Sequence, residues 1–545
     1  MKMMKKHIGL LLAAAIVALT ACNGNNSGTP APTSTPAPVA TATPAPVATA
    51  TPAPTDTPAP TSAPSSQEAF NDAVNNPQPP ASSTTVTLIA PYYSTDVPTT
   101  DAIQKVMAGY TGYNFSIDWV PSDAYGDKIA ALLASDSLPM ITVIPDLKSL
   151  PYITAVQNGQ FWNLDDYFSK YCPNLQILGD VRLKNGKYDG NLYAIPRARE
   201  LVRQGIIYRK DWATQLGIPE PKTIDDIDKL ARGMATLPGV KYGAVGVDFA
   251  TGPMYMVQEL AIYEGAPNNY GLDSNGNFTF GWLTPEYTKA VDLVRSWYAD
   301  GLVNKDFMES IKAEKYMNTE EAGLIFAYAD NIYGRYGDLA TKNPNAQLWF
   351  QLNINNRAIA TAGYNGGLVF SKTAVKDEKT LIDCLTFENS LATELSESFI
   401  YSGIPGTDYT VGADGVWTQT SDQADHMDNT VGQYAQIRCV ETLLQGIYQK
   451  WAPTTDPYDA EFKAQRKVAM ALPAGGVVAD MSSPFISDTL TKSGADLLPI
   501  MMDAINKYIT GDITLDQYKA AQQQWLDTGG QKVIDEYKAQ YDANK

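Results

Sequence analysis

Few residues in this chain are equipped for covalent or metal chemistry. Its 545 residues include two histidines, His7 and His426, and four cysteines, Cys22, Cys172, Cys384 and Cys439. His7 lies in an N-terminal leader, which leaves His426 alone, so histidine catalysis and multi-histidine metal sites have almost nothing to work with. The cysteines are widely spaced and suggest neither a zinc pattern nor a disulfide framework. Buried unpaired thiols are the expectation for Cys172, Cys384 and Cys439, with a Cys384–Cys439 bridge as the alternative. Acidic residues number 59 against 41 basic ones. Some pair of carboxylates is then inevitable, but no stretch frames two of them as general acid and base. In "DSNGNFTF" (residues 273–280), Asp273, Asn275 and Asn277 alternate like calcium ligands. The bidentate glutamate such a loop needs at its twelfth position is replaced by Thr284. An Asn-Gly hairpin turn is the better reading. What remains is recognition chemistry, carried by 31 tyrosines and 9 tryptophans. A net charge of −18 argues against nucleic acid and anionic lipid headgroups as partners.

One cysteine stands apart. Lys2, Lys5 and Lys6 precede an apolar run, Ile8–Leu19, too short to span a bilayer but normal for a signal-peptide core. The run ends in Leu19-Thr20-Ala21-Cys22, which resembles the lipobox of bacterial lipoproteins. That resemblance implies cleavage after residue 21 and diacylation of Cys22, and two acyl chains anchor a protein stably. An ordinary signal peptide with a chance cysteine is the bland alternative. Asn23–Ser66 then carries a single charge, Asp56, and repeats TPAPVATA in tandem. So few aromatic and branched residues cannot build a core. Alternating prolines favour an extended spacer at about 3.1 Å per residue, a reach on the order of 100 Å.

The rest is long enough for two or three lobes. Residues 84–90 (TTVTLIA) read as a strand ending at Pro91, 101–109 as a helix, and YNFSIDWV (113–120) as a second strand. Residues 123–134 read as a helix, and 138–146 as a continuously apolar strand covered on both faces. This alternation indicates an α/β layer with parallel strands. Thr223 caps a helix with apolar Ile224, Ile227, Leu230 and Met234. Thr284 caps another that starts at Pro285.

Several segments then carry a family likeness: FWNLDDYFSKYCPNL, KNGKYDGNLYAIPRARELVRQGIIYRKDWATQLGIPEPKTIDDIDKLA, TPEYTKAVDLVRSWYADGLVNKDF and DTGGQKVIDEYKAQYDANK. In this order, and after a lipobox, they resemble family 1 extracellular solute-binding proteins. These are lipoprotein receptors of sugar-importing ABC transporters, and the larger Gram-positive oligosaccharide-binding branch is the nearest type. The resemblance implies an α/β, two-lobed periplasmic-binding-protein-like fold (type II), with a ligand cleft between lobes joined by crossing strands. Its expected divisions are a signal peptide at 1–21 and a lipidated linker at 22–83. Lobe 1 is expected over 84–200 and about 361–430, and lobe 2 over 201–360 and about 431–545. Alginate-binding relatives and many of this branch place a calcium loop after the helix that here spans Ile224–Met234. This chain has TLPGVKYGAVGVD there, with one carboxylate, so no calcium or other cofactor is carried over.

Sugars offer apolar C–H faces and a hydroxyl rim, which suit flat aromatics and forked polar groups. Ligand sites favour domain interfaces and the carboxyl ends of parallel strands. Strand ends nominate Tyr92, Tyr93 and Asp146. By resemblance, Arg197, Arg199 and Glu200 hold the place of a cleft glutamate, and Tyr328, Asp330 and Asn331 that of a cleft aromatic. TAGYNGGLVF adds Tyr364 and Asn365. Arg197 and Arg199, two apart, would face one way if 194–199 is extended, and such a pair would favour a ligand carboxylate. Trp162, Trp212 and Trp297 sit at core-like positions. The expected function is a monomeric, non-enzymatic receptor. It would be lipid-anchored on the extracellular face of a Gram-positive membrane and deliver an oligosaccharide to an ABC permease. A secreted polysaccharide-active enzyme using paired carboxylates and a structural adhesin are the competing classes.

Overall fold

A computed structural model describes residues 67–98, 101–246, 254–305, 313–328, 337–440, 443–444, 447–453, 456–470 and 476–545. Among them are two separate hydrophobic cores, each built around its own sheet. The first sheet holds β1 (Thr85–Tyr92), β2 (Asn114–Pro121), β3 (Ile141–Ile144) and β4 (Ala194–Ala198). The second is built on β5 (Gln204–Arg209), beyond which β6 (Tyr270–Leu272) and β7 (Phe278–Phe280) form a hairpin. β8 (Leu324–Tyr328) and β9 (Leu348–Gln351) complete that second sheet in the order β8-β5-β9. After β10 (Ala358–Ile359) the chain returns to the first sheet as β11 (Tyr364–Phe370), giving the order β2-β1-β3-β11-β4.

Burial follows sequence pattern closely. β3 is buried at all four positions, as a strand covered on both faces must be. β2 and β3 both pair in parallel with β1, while β11 runs antiparallel to β3 and β4. β1 does not stop at Pro91 but runs through it to Tyr92. β3 pairs only Leu88 and Ile89, so at Pro91 the strand has β2 alone as neighbour, and a one-sided position tolerates proline. In lobe 2, Thr223 and Asp226 form a capping box ahead of the helix Ile224–Met234. Thr284 caps Pro285–Ala299 by accepting from the Tyr287 N–H, and this helix buries Trp297 completely. The β6–β7 turn is the expected hairpin, with Asp273 accepting from the N–H groups of Asn275 and Asn277.

Two expected boundaries need correction. The linker expected over 22–83 does not run to residue 83, because Gln67–Asn75 is a helix that buries Phe70 and Val74. The Phe70 ring stacks 5.3 Å from Tyr448 and 6.1 Å from Trp417, an anchor too short in sequence to show periodicity. The first core also extends past residue 430, because Val431, Tyr434, Ile437, Cys439, Val440 and Tyr448 belong to it. Cys172, Cys384 and Cys439 are buried and unbridged.

The chain passes between the lobes at residues 199–203, at 360–363 and again between Tyr448, in the first core, and Tyr458, in the second, and the first two passages bond to each other. Residues 199–203 run antiparallel to 360–363: the Thr361 N–H donates to the Leu201 carbonyl at 2.7 Å, and the Arg199 N–H to the Gly363 carbonyl at 2.8 Å. Arg182, itself buried, donates to the carbonyls of both Arg199 and Gly363 at 3.1 Å. Gly363 has φ +81°, and a Cβ there would meet Leu201 Cδ2 at 2.6 Å and Arg182 Cγ at 2.9 Å. Only glycine allows the guanidinium to clamp both crossings.

Candidate ligand-binding cleft

Parallel β1, β3 and β4 end on one edge of the first sheet, and antiparallel β11 begins there. This edge gathers several of the expected residues. Tyr92 is half-buried, whereas Tyr93 is 62% exposed and its N–H donates to Gln433 at 2.8 Å. Asp146 is exposed and accepts from the Lys148 N–H at 2.7 Å, opening the turn into the helix Leu150–Gln157. Tyr364 is half-buried and donates its hydroxyl to the Asn185 carbonyl at 3.2 Å, and Asn365 is exposed. Across from them, Tyr328 ends β8 with the Arg203 guanidinium 4.2 Å from its ring centroid and the Tyr255 ring 5.8 Å away. Asp330, Asn331 and Cys22 lie outside the described residues.

The arginine pair does not behave as its spacing suggests. Arg197 is 3% exposed, donates to Gln436 at 2.7 Å and to the Asn365 carbonyl at 3.4 Å, and lies in the field of buried Glu388. Burial pushes the Glu388 carboxyl well above the usual carboxylate range, and Arg197 offsets only part of that rise. β4 stops at Ala198, so Arg199 belongs to the crossing instead, half-buried, with its guanidinium donating to the Ala198 carbonyl at 2.8 Å. Alternation along a strand therefore does not extend to Arg199, and the two side chains have separate surroundings. Glu200 is half-buried beside them, its carbonyl accepting from Thr361.

Between the lobes lies a cavity of about 530 Å³. Lys148 and Tyr364 line it from lobe 1, Ala362 from the crossing, and Tyr270, Phe280, Trp282, Asp480, Leu498 and Trp525 from lobe 2. Of these, sequence reasoning nominated Tyr364 alone. The aromatics pack on one another: Phe280 and Trp282 centroids are 4.2 Å apart, Tyr270 and Phe280 4.4 Å, and Trp282 and Trp525 5.2 Å edge to face. Lys148 reaches across and donates to the Phe485 carbonyl at 3.0 Å. Burial pulls its pKa down to about 8, against the opposing pull of Asp146 and Asp480. Asp480 accepts from Ser482 Oγ at 2.6 Å and Asn269 Nδ2 at 3.0 Å, and burial nonetheless raises its carboxyl pKa. Aromatic planes beside a few placed polar groups form a surface for recognition. Among the described residues no group of three His, Cys, Asp or Glu side chains is disposed to hold a metal, and no helix is long and apolar enough to cross a membrane.

Comparison with known proteins accords with this architecture. Two Bacillus subtilis (strain 168) proteins are each 28% identical to the chain. The polygalacturonan/rhamnogalacturonan-binding protein YtcQ aligns over 449 residues, 81% of this chain and 88% of that protein. Lipoprotein LipO aligns over 481 residues, 85% and 93% respectively. The N-glycan transport solute-binding protein NgtS of Streptococcus pneumoniae shares the fold with a TM-score of 0.60 at 14% identity, over 84% of this chain and 98% of that one. The family profile described as bacterial extracellular solute-binding protein matches residues 96–386. This chain therefore belongs to the bacterial extracellular solute-binding proteins, a family of binding proteins and not of enzymes.

Proposed function

We propose that this protein captures an oligosaccharide in the cleft and delivers it to the membrane subunits of an ABC importer. The observation that carries the reading is the aromatic-walled cavity between two α/β lobes, beside which the paired crossings run. Paired strands of this kind act as a hinge, and closure about it would remove a sugar from water while aromatic planes take its C–H faces. The polygalacturonan and rhamnogalacturonan binding of YtcQ supports a carbohydrate ligand and favours pectic, acidic polymers. Lys148 and Arg199, with Arg203 stacked on Tyr328, are the cations we assign to an acidic ligand. Arg197 is withdrawn from that role because it is committed inside lobe 1. Tyr92, Tyr93, Asp146, Tyr328, Tyr364 and Asn365 are the remaining ligand contacts we propose on the two facing edges.

The test is a thermal-shift screen of the purified folded part against pectic, fructan, glucan and N-glycan oligosaccharides. A ligand at a hundred times its dissociation constant adds about 2.7 kcal/mol of stability. A panel that leaves the melting temperature unchanged throughout would reject the carbohydrate reading. Cys22 is proposed as the lipidated anchor, with residues 23–66 as its spacer. Cys22→Ala should release the folded protein into the medium, whereas a variant that still sediments with membranes in high salt would reject the anchor.

A further inference from the structure

Apart from the chain passages, one segment of lobe 2 reaches lobe 1. It runs from Ser482 to Ser487 and leads into the helix Asp488–Thr510. Two adjacent residues divide between the cores: Phe485 belongs to the core of lobe 2, and half-buried Ile486 packs against that of lobe 1. Beside them the Phe485 carbonyl accepts from Lys148 of lobe 1 at 3.0 Å. The segment is held firmly on its own side. Asp480 accepts from the Ser482 N–H at 2.8 Å, and the Phe485 N–H closes a turn on the Ser482 carbonyl at 2.8 Å. Gln540, on the C-terminal helix Gln531–Ala543, brackets Ile486 by donating to its carbonyl at 2.7 Å and accepting from its N–H at 3.4 Å. Ser487 donates to Glu536 of the same helix at 2.6 Å. Lobe 2 thus grips the peptide of Ile486 while the side chain rests on lobe 1. Ser482, Ser483 and Phe485 line the cavity between the lobes, so this contact is made directly beside it.

We propose that Ile486 is a positioning residue for ligand binding: it ties lobe 2 to lobe 1 beside the cavity and so holds the lobes paired around a saccharide. The inference rests on the carbohydrate reading above and adds a residue that acts through the lobes instead of through the sugar. A ligand held between two lobes binds only while they are paired, and its apparent affinity falls with the fraction of molecules so paired. A side chain that joins the lobes therefore contributes the same factor to every ligand. The C-terminal helix shares in this role, because Gln540 and Glu536 hold the segment from which Ile486 projects. Lys148 makes the neighbouring bond, but it also lines the cavity, and its variants would mix the two effects. Ile486 keeps them apart.

The test measures release of oligogalacturonides, and of their neutral methyl-esterified forms, from the full chain by stopped flow. Ile486→Ala should speed release of both by the same factor, about fivefold, the order expected from half-burying the atoms removed. Association should change little. Ile486→Val, which keeps most of the contact, should release ligand at nearly the wild-type rate. Should Ile486→Ala fail to fold, Gln540→Leu takes its place with the same expectation, since it frees the segment and keeps the isoleucine. Unchanged release, unequal factors for the acidic and neutral forms, or a valine variant as fast as the alanine one would overturn the proposal and leave the carbohydrate reading intact. One spin label on an exposed helix of each lobe reads the pairing with no ligand added. Ile486→Ala should populate a longer distance that wild type and Ile486→Val lack. If no saccharide binds the wild type, the carbohydrate reading fails and the labels decide alone: that longer distance supports the positioning role, and equal distances in all three overturn it.

Discussion

The two lobes meet the cleft with different material. Lobe 1 offers the edge of a sheet, and the strongest charges beneath that edge are spent inside the lobe. Arg197 is tied to Gln436 beside buried Glu388, and fully buried Arg438 donates to Glu397 at 2.5 Å. Lobe 2 offers side chains from a hairpin, a turn and its C-terminal helices, assembled into an aromatic and aliphatic wall. The contrast teaches that charge near a cleft is not charge available to a ligand. A guanidinium in the interior has to be bonded before the ligand arrives. Apolar wall, by comparison, can wait for its partner at little cost.

The hardest blow to this comparison would come from the lobe 1 ion pair. Glu397→Ala leaves the Arg438 guanidinium buried without its carboxylate, and should cost about 3–5 kcal/mol in urea unfolding. A loss below 1 kcal/mol would mean that the charges of lobe 1 are not structural, and the comparison breaks. Lys148 sharpens it next, as the lobe 1 cation that does cross to lobe 2. Its folded pKa of about 8 lies below the ordinary 10.5, so being charged costs the folded state. That cost is fully present below pH 8 and fades as pH rises towards 10.5. The stability of wild type relative to Lys148→Gln should therefore rise between pH 7 and pH 9.5, by on the order of 2 kcal/mol. A flat difference across that range would show that Lys148 is not desolvated.

Arg199 tests whether the crossing supplies ligand charge that the sheet interior withholds. Arg199→Ala should weaken a uronate ligand by about 1–3 kcal/mol, and a matched neutral oligosaccharide by less. Equal losses would end the acidic-ligand assignment. The smallest effect is expected from chelation. With TLPGVKYGAVGVD in place of an acidic loop, EDTA should leave the melting temperature unchanged, whereas a fall of several degrees would reveal a metal site.

What the sequence disclosed was local. The caps at Thr223 and Thr284, the Asn-Gly turn and the apolar run of β3 each involve residues within a few positions of one another. Strand ends were legible for the same reason, which is why Tyr92, Tyr93, Asp146 and Tyr364 fall on one edge. The wall of lobe 2 was not. Trp282, Asp480, Leu498 and Trp525 come from separate elements spread over the second half of the chain, and no spacing brings them together. Lys148 was passed over beside Asp146 because a surface turn hides that its ammonium reaches Phe485. Whether Arg197 and Arg199 share a face was not legible, because the pattern could not show where β4 leaves its sheet for the crossing.

The central claim is that the cleft binds a saccharide and leaves it unchanged. It is tested most directly by titrating the purified protein with pectic oligosaccharides and analysing what is recovered. Saturable binding at one ligand per chain is expected, with intact oligosaccharide after release. Reducing ends appearing in proportion to protein would make the chain an enzyme and contradict the account.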